Sequence, residues 1–419
     1  MISLNQIVEN PDIFKQELSK RFKPPVIIDD ITEKAGVFKE SQKELEELRQ
    51  QKNSFNLIIA SLSPEEKTVK LEEMKIVSEK IKTLEDTQRE LKSELDNLLA
   101  VIPNLTWDGI PVAKDDAGNI EIGQFGVKPE FDFNPSPYHE LPIFKRDYLS
   151  EKGVEAVGFR GYYIAGELAK FQRALFNWSL DRILEEGFEY VIPPIAVNYD
   201  VMAGTGFFPT GQDDVYEVIE GDRTKYLVGS SEPSLMFMES NRNLQLADPR
   251  LLTAWTTCFR KEIGAHGKDT KGGIRVHQFE KVEMVAICKP DQSAQVFERL
   301  TNFFCAGLDL LGLHYHQLEV SSGDISIKNN RQIDIEAWFP ATEDFRELCS
   351  SSNCTDYQTR NLNITFTNYE GQKELTHSLN CTGITNRAMF AIMEQFQQID
   401  GRIKVPEVLK KYYSKEYLE

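Results

Sequence analysis

The sequence predicts an α+β protein with an N-terminal antiparallel two-helix coiled-coil arm. Three observations lead there. From about Ile27 to Ala100 the chain is rich in Glu, Lys, Leu and Gln, with Gly36 its only glycine. A stretch dense in proline and glycine follows, "VIPNLTWDGIPVAKDDAGNIEIGQFGVKPEFDFNPSPYHEL", and reads as a linker into a new domain. Beyond it, helical periodicity near 166–186 and 292–312 alternates with short extended runs such as "NLNITFT", where Leu362, Ile364 and Phe366 share one face.

The arm is legible residue by residue. Met74, Val77, Ile81, Leu84, Leu91, Leu95 and Leu98 recur at alternating steps of three and four, with Gln88 in the one polar core slot, as a heptad seam requires. The first half repeats the pattern through Ile31, Ala35, Phe38, Leu45, Leu48, Phe55, Ile59 and Leu62, with Gln42 and Lys52 as polar members. Between the halves, Ser63, Pro64 and Glu66 supply an N-cap, a first-turn proline and a capping-box partner, so the chain turns there. Two such helices give a hairpin of roughly 45–55 Å at about 1.5 Å per residue. Taken alone, the hairpin is equally a spacer or a dimerisation rod.

Composition narrows the function. The 419 residues carry 48 Lys and Arg against 66 Asp and Glu, a net charge of −18, so the generic electrostatic footprint of a DNA- or RNA-binding protein is absent. A polyanion would have to meet a local basic patch. The six cysteines form no C-x-x-C pair and read as structural thiols of a reducing compartment. No basic-then-apolar leader opens the chain and no run of eighteen apolar residues occurs, so no membrane partner is expected and a cytoplasmic protein is. His314 and His316, with no third ligand nearby, read as ordinary core or surface histidines.

Chemistry concentrates in "CFRKEIGAHGKDTKGGIRVHQFEKVEM", Cys258 to Met284. With period two, Thr256, Cys258, Arg260 and Glu262 share one face of a first strand, and His277, Phe279, Lys281 and Glu283 share one face of a second. Val282, Met284 and Ala286 form the second strand's apolar face. If the strands pair across the loop from Ile263 to Gly273, a guanidinium, a flat ring and carboxylates converge on one surface, which suits a charged planar ligand such as a nucleotide. A hairpin with ordinary cross-strand ion pairs is the plainer alternative.

These residues do not stand alone. The run from Cys258 resembles the second signature motif of class II aminoacyl-tRNA synthetases in its seryl version. "EGFEYVIPPIAVNYDVMAGTGFFP" is similar to the first motif, and "SSNCTDYQTR" and "LNCTGITNRAMFAIMEQFQ" resemble the magnesium-binding segment and third motif. The N-terminal hairpin has the place and length of the arm with which seryl-tRNA synthetases embrace tRNA. The resemblance divides the chain into a tRNA-binding domain over 1–105 and a catalytic domain over 106–419, built on the antiparallel sheet of class II.

That resemblance implies activation of serine with ATP to seryl-adenylate, then transfer to the 3′ end of tRNA(Ser). It implies ATP and Mg²⁺ as cofactors, serine and tRNA(Ser) as partners, and a homodimer. By it, Arg260 holds the α-phosphate and borders the serine site, Arg387 reaches the γ-phosphate beside adenine, and Phe279 stacks on the base. Glu262 meets the adenine amino group and Arg275 the far end of the triphosphate. Glu347 and Ser350 bind the metal, an oxygen-only pair that suits Mg²⁺. Glu232 and Glu283 receive the serine ammonium, with Ser230 where the family has threonine, and Asn380 and Thr382 meet the serine hydroxyl.

Three departures from the family pattern stand out. The third motif is one residue shorter between Gly383 and Arg387. The segment "GDISIKNNRQIDIEAW" keeps Gly323, Asp324, Asp334, Glu336 and Trp338 but replaces the residues between them. The arm carries more Asp and Glu than Lys and Arg, leaving Lys67, Lys70, Lys75, Lys82 and Arg89 as the basic stripe for a tRNA backbone. Two other readings follow: a non-catalytic synthetase-like scaffold that binds RNA or protein, and an activating enzyme that serves a carrier protein.

Overall fold

The computed structural model describes residues 2–59, 62–263 and 271–419. The chain divides into two compact units, residues 2–103 and Asn104–Glu419.

In the N-terminal unit, helices α1 (Leu4–Glu9) and α2 (Pro11–Lys20) precede the long helices α3 (Ile27–Ile58) and α4 (Pro64–Ala100). The short pair α1 and α2 went unseen in the sequence. Along the long pair Ile31, Ala35, Leu45, Phe55, Met74, Ile81 and Leu95 are all buried, so the heptad seam is the contact. The ion pairs Lys34–Glu94 at 2.6 Å and Arg49–Glu85 at 2.7 Å step forward along one helix and back along the other, which fixes the helices as antiparallel, and Lys80–Glu44 at 2.7 Å adds a third link. Gln88 Nε2 donates across the seam to Ser41 Oγ at 3.3 Å, giving the polar slot a partner. At the start of α4 the backbone N–H of Ser63 donates to Glu66 Oε2 at 2.9 Å, and Ser63 Oγ accepts from the Glu66 N–H, the reciprocal cap that its sequence specifies.

The larger unit is built on one eight-stranded sheet. Its strands are β1 (Ile120–Phe125), β2 (Glu189–Tyr190), β3 (Arg250–Phe259), β4 (Gln278–Cys288), β5 (Tyr315–Glu319), β6 (Arg331–Phe339), β7 (Asp344–Thr355) and β8 (His377–Thr385), in the order β1-β5-β6-β7-β8-β4-β3-β2. Every neighbouring pair is antiparallel except β2 with β3. Strand β1 comes from the proline- and glycine-rich stretch that reads as a linker. Asn119, just before β1, accepts from the Ser321 N–H at 2.8 Å and donates to Asp324 at 2.9 Å, which pins this edge strand beside β5.

One face of the sheet is covered by α5 (Gly166–Glu185), α7 (Ser293–Leu311) and α8 (Asn386–Gln395). Phe171, Phe176, Phe297, Phe304 and Phe390 pack there against Val282, Met284, Ala286, Ile335 and Cys381, so the apolar face expected of β4 is the core. The alternate residues of β4, including Phe279, Lys281 and Glu283, point the other way, as the period of two demands. A smaller cluster around Leu252, Val285, Ile287, Leu362, Ile364 and Phe366 packs against helix α6 (Glu232–Met238) and closes one end of that second face. All six cysteines are buried and free of disulfides. Among the described residues no helix is long and apolar enough to cross a membrane.

Candidate active site

Strands β3 and β4 pair with Cys258 opposite Phe279, Thr256 opposite Lys281 and Ala254 opposite Glu283. The ladder continues one step beyond, since the Arg260 N–H donates to His277 O at 3.0 Å. Arg260 therefore lies over Phe279, its guanidinium carbon 5.3 Å from the ring centroid. Its Nε and Nη2 donate to Gly229 O at 3.3 and 3.2 Å, which fixes the plane of the fork. Glu262 departs from the period-two expectation. The strand stops at Phe259, and Glu262, which adopts φ of 55°, lines the cleft from a left-handed turn rather than by strand alternation. Most of the basic loop, 264–270, lies outside the described residues.

Arg260, Glu262, Phe279, Glu347, Thr382 and Arg387 line one cleft. Half of the site residues expected from sequence thus share a single wall. Arg387 reaches it from the first turn of α8, whose N-cap is Thr385. Arg387 Nη1 donates to Glu347 O at 2.9 Å and Glu347 Oε2 at 3.1 Å, and its Nε donates to Ile274 O at 3.3 Å. The shortened third motif consequently still delivers its arginine to the cleft. Arg275 does not line the cleft; its Nη1 pairs with Glu262 Oε2 at 3.0 Å, so two groups expected at opposite ends of a nucleotide hold each other.

Beyond Arg387 the cleft becomes acidic. Ser350 lies opposite Asp334 in the β6–β7 ladder, and a bulge at Leu348 brings Glu347 onto the same surface. Burial, reinforced by the neighbouring charge of Glu347, pushes Asp334 up to about 8. Burial opposes ionisation of Glu347 as well, but Arg387 and Arg260 outweigh it and hold that carboxyl below its ordinary range. Two carboxyls and a hydroxyl crowded in this way are hard oxygen donors that a small divalent cation fits. Among the described residues no cluster of three or more His, Cys, Asp or Glu side chains is arranged to hold a metal unaided.

Next to Lys281 and Thr382 of the cleft wall lies the second pair of acids, both buried and neither lining the cleft itself. Glu283 is buried, and its Oε2 accepts from Ser230 Oγ at 2.9 Å and pairs with Lys281. Burial disfavours the Lys281 ammonium, yet Glu283 outweighs it and raises the lysine above its usual value. Ser230 Oγ also accepts from the Glu232 backbone N–H at 3.3 Å, so the hydroxyl in place of threonine ties the Glu283 carboxylate to the backbone at the start of α6. Thr382 lies opposite Glu283 in the β8–β4 ladder. Glu232, at the start of α6, has a partner set that the sequence did not reveal. Its Oε1 accepts from Gln358 Nε2 at 2.7 Å and from Asn380 Nδ2 at 3.1 Å, and it pairs with the buried ammonium of Lys328. Sequence reasoning placed Lys281 on the site face without giving it a role, and missed Lys328, Asp334 and Gln358 as site residues; a lysine inside the altered 325–332 segment was the available signal.

Fold and cleft together define a class II aminoacyl-tRNA synthetase, and residues 216–396 match the family model of the tRNA synthetase class II core domain (G, H, P, S and T). Residues 1–106 match the seryl-tRNA synthetase N-terminal domain. Over the full length of both chains, the protein is 35% identical to a serine–tRNA ligase of Rhodococcus opacus and 34% identical to one of Pseudothermotoga lettingae. The crystal structure of seryl-tRNA synthetase from Pyrococcus horikoshii complexed with ATP superposes with a TM-score of 0.92 at 31% identity, covering 100% of this chain and 99% of that one. The chain belongs to the serine–tRNA ligases, the ATP-dependent enzymes that charge tRNA with serine.

Proposed function

We propose that this serine–tRNA ligase seats ATP in the cleft between Arg260, Phe279 and Arg387 and serine at the Glu283 end. The observation that carries the assignment is the stacking of Arg260 over Phe279 on the cleft wall. The adenine ring slides onto Phe279, the α-phosphate meets the Arg260 fork, and Arg387 takes the γ-phosphate side. Glu262 accepts from the adenine amino group once Arg275 releases it for the outer phosphates, which gives the Glu262–Arg275 pair a reason to exist in the free enzyme. The nucleotide assignment is supported by the relative from Pyrococcus horikoshii, a complex with ATP.

Chemistry at phosphorus asks little of proton transfer. The serine carboxylate is already ionised, so one of its oxygens attacks the α-phosphorus as pyrophosphate leaves, and the enzyme supplies alignment and positive charge. Glu347 and Ser350, with Asp334 beside them, would hold Mg²⁺. That ion would neutralise the outer phosphates and the leaving pyrophosphate. Glu283 receives the serine ammonium, Ser230 steadies Glu283, and Asn380 and Thr382 meet the hydroxyl. A pocket that bonds a hydroxyl rejects alanine strongly, because its own polar groups would be left unpaired.

Transfer then goes to the terminal ribose of tRNA(Ser), whose backbone the exposed side of α4 contacts through Lys67, Lys70, Lys75, Lys82 and Arg89. Val157, Phe159 and Ile192, exposed at 77%, 62% and 84%, form apolar surface that a second copy of the chain would cover in a homodimer. A cytoplasmic location accords with six unpaired thiols. Serine-dependent exchange of pyrophosphate into ATP tests the first step, and charging of tRNA(Ser) the second. A protein that exchanges pyrophosphate with no amino acid, or with none except a carrier-linked one, overturns the reading.

A further inference from the structure

On β4 the residues Phe279, Lys281 and Glu283 share one face at successive steps of roughly 6.5–7 Å. With the base on Phe279 and the serine ammonium at Glu283, as proposed, Lys281 stands midway, where the α-phosphate and the serine carboxylate have to meet. Thr256 and Thr385 lie opposite Lys281 on the two neighbouring strands, which fixes its backbone in the middle of the sheet. Its side chain is 12% exposed and lines the cleft, whereas that of Glu283 is 1% exposed and does not. The Lys281 ammonium pairs with Glu283 Oε2, the same oxygen that accepts from Ser230 Oγ. An ammonium arriving from the cleft therefore has to take the place of this one. Lys328, the other buried lysine of the region, pairs with Glu232 and does not line the cleft.

We propose that Lys281 is a catalytic residue of serine activation: the serine ammonium displaces it from Glu283, and its own ammonium moves to the serine carboxylate and the α-phosphate. The proposal rests on the reading of Glu283 as the receiver of the substrate ammonium. The exchange conserves charge, since one ion pair of the free enzyme becomes two with the substrate, Glu283 with the serine ammonium and Lys281 with the serine carboxylate. Ser230 keeps Glu283 in position when the lysine leaves. In the reaction a lone pair on a carboxylate oxygen forms the bond to the α-phosphorus, and the bond from phosphorus to the pyrophosphate oxygen breaks with its electrons; no proton moves. Two anions must approach for that bond to form, and a cation between them relieves the repulsion most where water is scarce. The other cations that line the cleft among the described residues, Arg260 and Arg387, are tied to Gly229 O and to Glu347. Because serine itself releases Lys281, the charge reaches the phosphate only when the attacking group is in place.

Serine-dependent pyrophosphate exchange by Lys281→Met tests the charge. Its kcat should fall by about a hundredfold or more, as for the loss of one preorganised donor, while the KM for serine does not rise, because Glu283 no longer holds a competing ammonium. A kcat within roughly threefold of the parent overturns the proposal, whatever the KM. Should the variant not fold, Glu283 being left without its counter-ion, the parent enzyme carries the test. Its crystal structure with serine and α,β-methylene-ATP, whose α-phosphorus cannot lose its leaving group, should place Lys281 Nζ within about 3.2 Å of a serine carboxylate or α-phosphate oxygen, with the serine ammonium on Glu283. Serine seated on Glu283 with Lys281 still paired to that carboxylate, and to no substrate oxygen, overturns the proposal and leaves the serine site standing. Serine bound away from Glu283, or a parent enzyme with no serine-dependent exchange, would instead refute the serine-site reading itself.

Discussion

The guanidinium of Arg260 lies 5.3 Å from the ring centroid of Phe279, and Arg260 follows the end of β3, two residues past Cys258, the residue paired with Phe279. A planar cation over a planar ring marks out a slot for a base and its phosphate. Phe279→Ala removes the platform and should raise the KM for ATP by roughly five- to a hundredfold, the span of about 1–3 kcal/mol lost per stacked base. Phe279→Tyr keeps the ring and should stay near the parent. Exchange kinetics at varied ATP separate the two outcomes.

Arg260→Lys keeps the charge and loses the fork. Because Nε and Nη2 are both tied to Gly229 O, the fork has one orientation, and a lysine cannot reproduce it. The expected result is a fall in kcat of roughly a hundredfold with little change in KM for serine, the magnitude of a lost oxyanion-type contact. A rise in the KM for ATP alone, with kcat unchanged, would place Arg260 outside the transition state.

Glu347→Gln tests the acidic end. The carbonyl of residue 347 would still accept from Arg387, so the arginine has an anchor while the charge is gone. Exchange should fall about a hundredfold and demand several-fold more Mg²⁺ for half-maximal rate, consistent with loss of one hard ligand. An unaltered Mg²⁺ dependence would move the ion elsewhere.

How far these residues could be read in advance depends on the distance over which they act. The arm was legible because a heptad seam and the Ser63–Glu66 cap are local patterns that the chain repeats or closes within a few residues. The β3–β4 hairpin was legible for the same reason, as period-two alternation on neighbouring strands. Glu232 and Lys328 are separated by 96 residues, and Gln358 is a further partner from beyond β7. Their meeting follows from sheet order and from the packing of α6, which no short window encodes. Strand β1 was missed because prolines and glycines around it signal a loop, while its pairing is imposed by β5 and by Asn119.

His316 supplies a pH-dependent contribution remote from Arg260. Burial would lower it, but Glu336 and Glu121, each 2.8 Å from a ring nitrogen, outweigh burial and raise it above its usual value. A group raised on folding stabilises fully below its unfolded value, about 6.5, and the gain fades as pH rises through the folded value. His316→Gln should therefore cost about 1.5–3 kcal/mol at pH 6, as for hydrogen bonds to charged groups, and progressively less in alkaline buffer. Denaturant midpoints across that range measure it; a penalty that grows with pH would contradict the ion-pair assignment.

The arm must hold a polyanion against an adverse net charge of its own. Lys70 and Arg89 each pair with an acid on the same helix, Glu73 at 2.5 Å and Asp86 at 3.1 Å, and both lie at the surface, where such pairs contribute little to stability. They are therefore free to change partner when a phosphate arrives. Lys75→Glu and Lys82→Glu, singly or together, should leave serine-dependent pyrophosphate exchange untouched, because no step of it needs tRNA. Charging of tRNA(Ser) should weaken, and the salt dependence of its KM should shallow by about one counterion for each phosphate contact removed. Leu95→Ala serves as the contrast. Leu95 is 3% exposed in the seam, so its truncation should cost the arm about 2–5 kcal/mol by opening a cavity. It would lower charging through loss of helical structure, visible by circular dichroism, with the slope against salt unaltered. If the lysine reversals and the seam truncation gave the same salt slope, the stripe would have no part in holding tRNA, and the arm would act by shape alone.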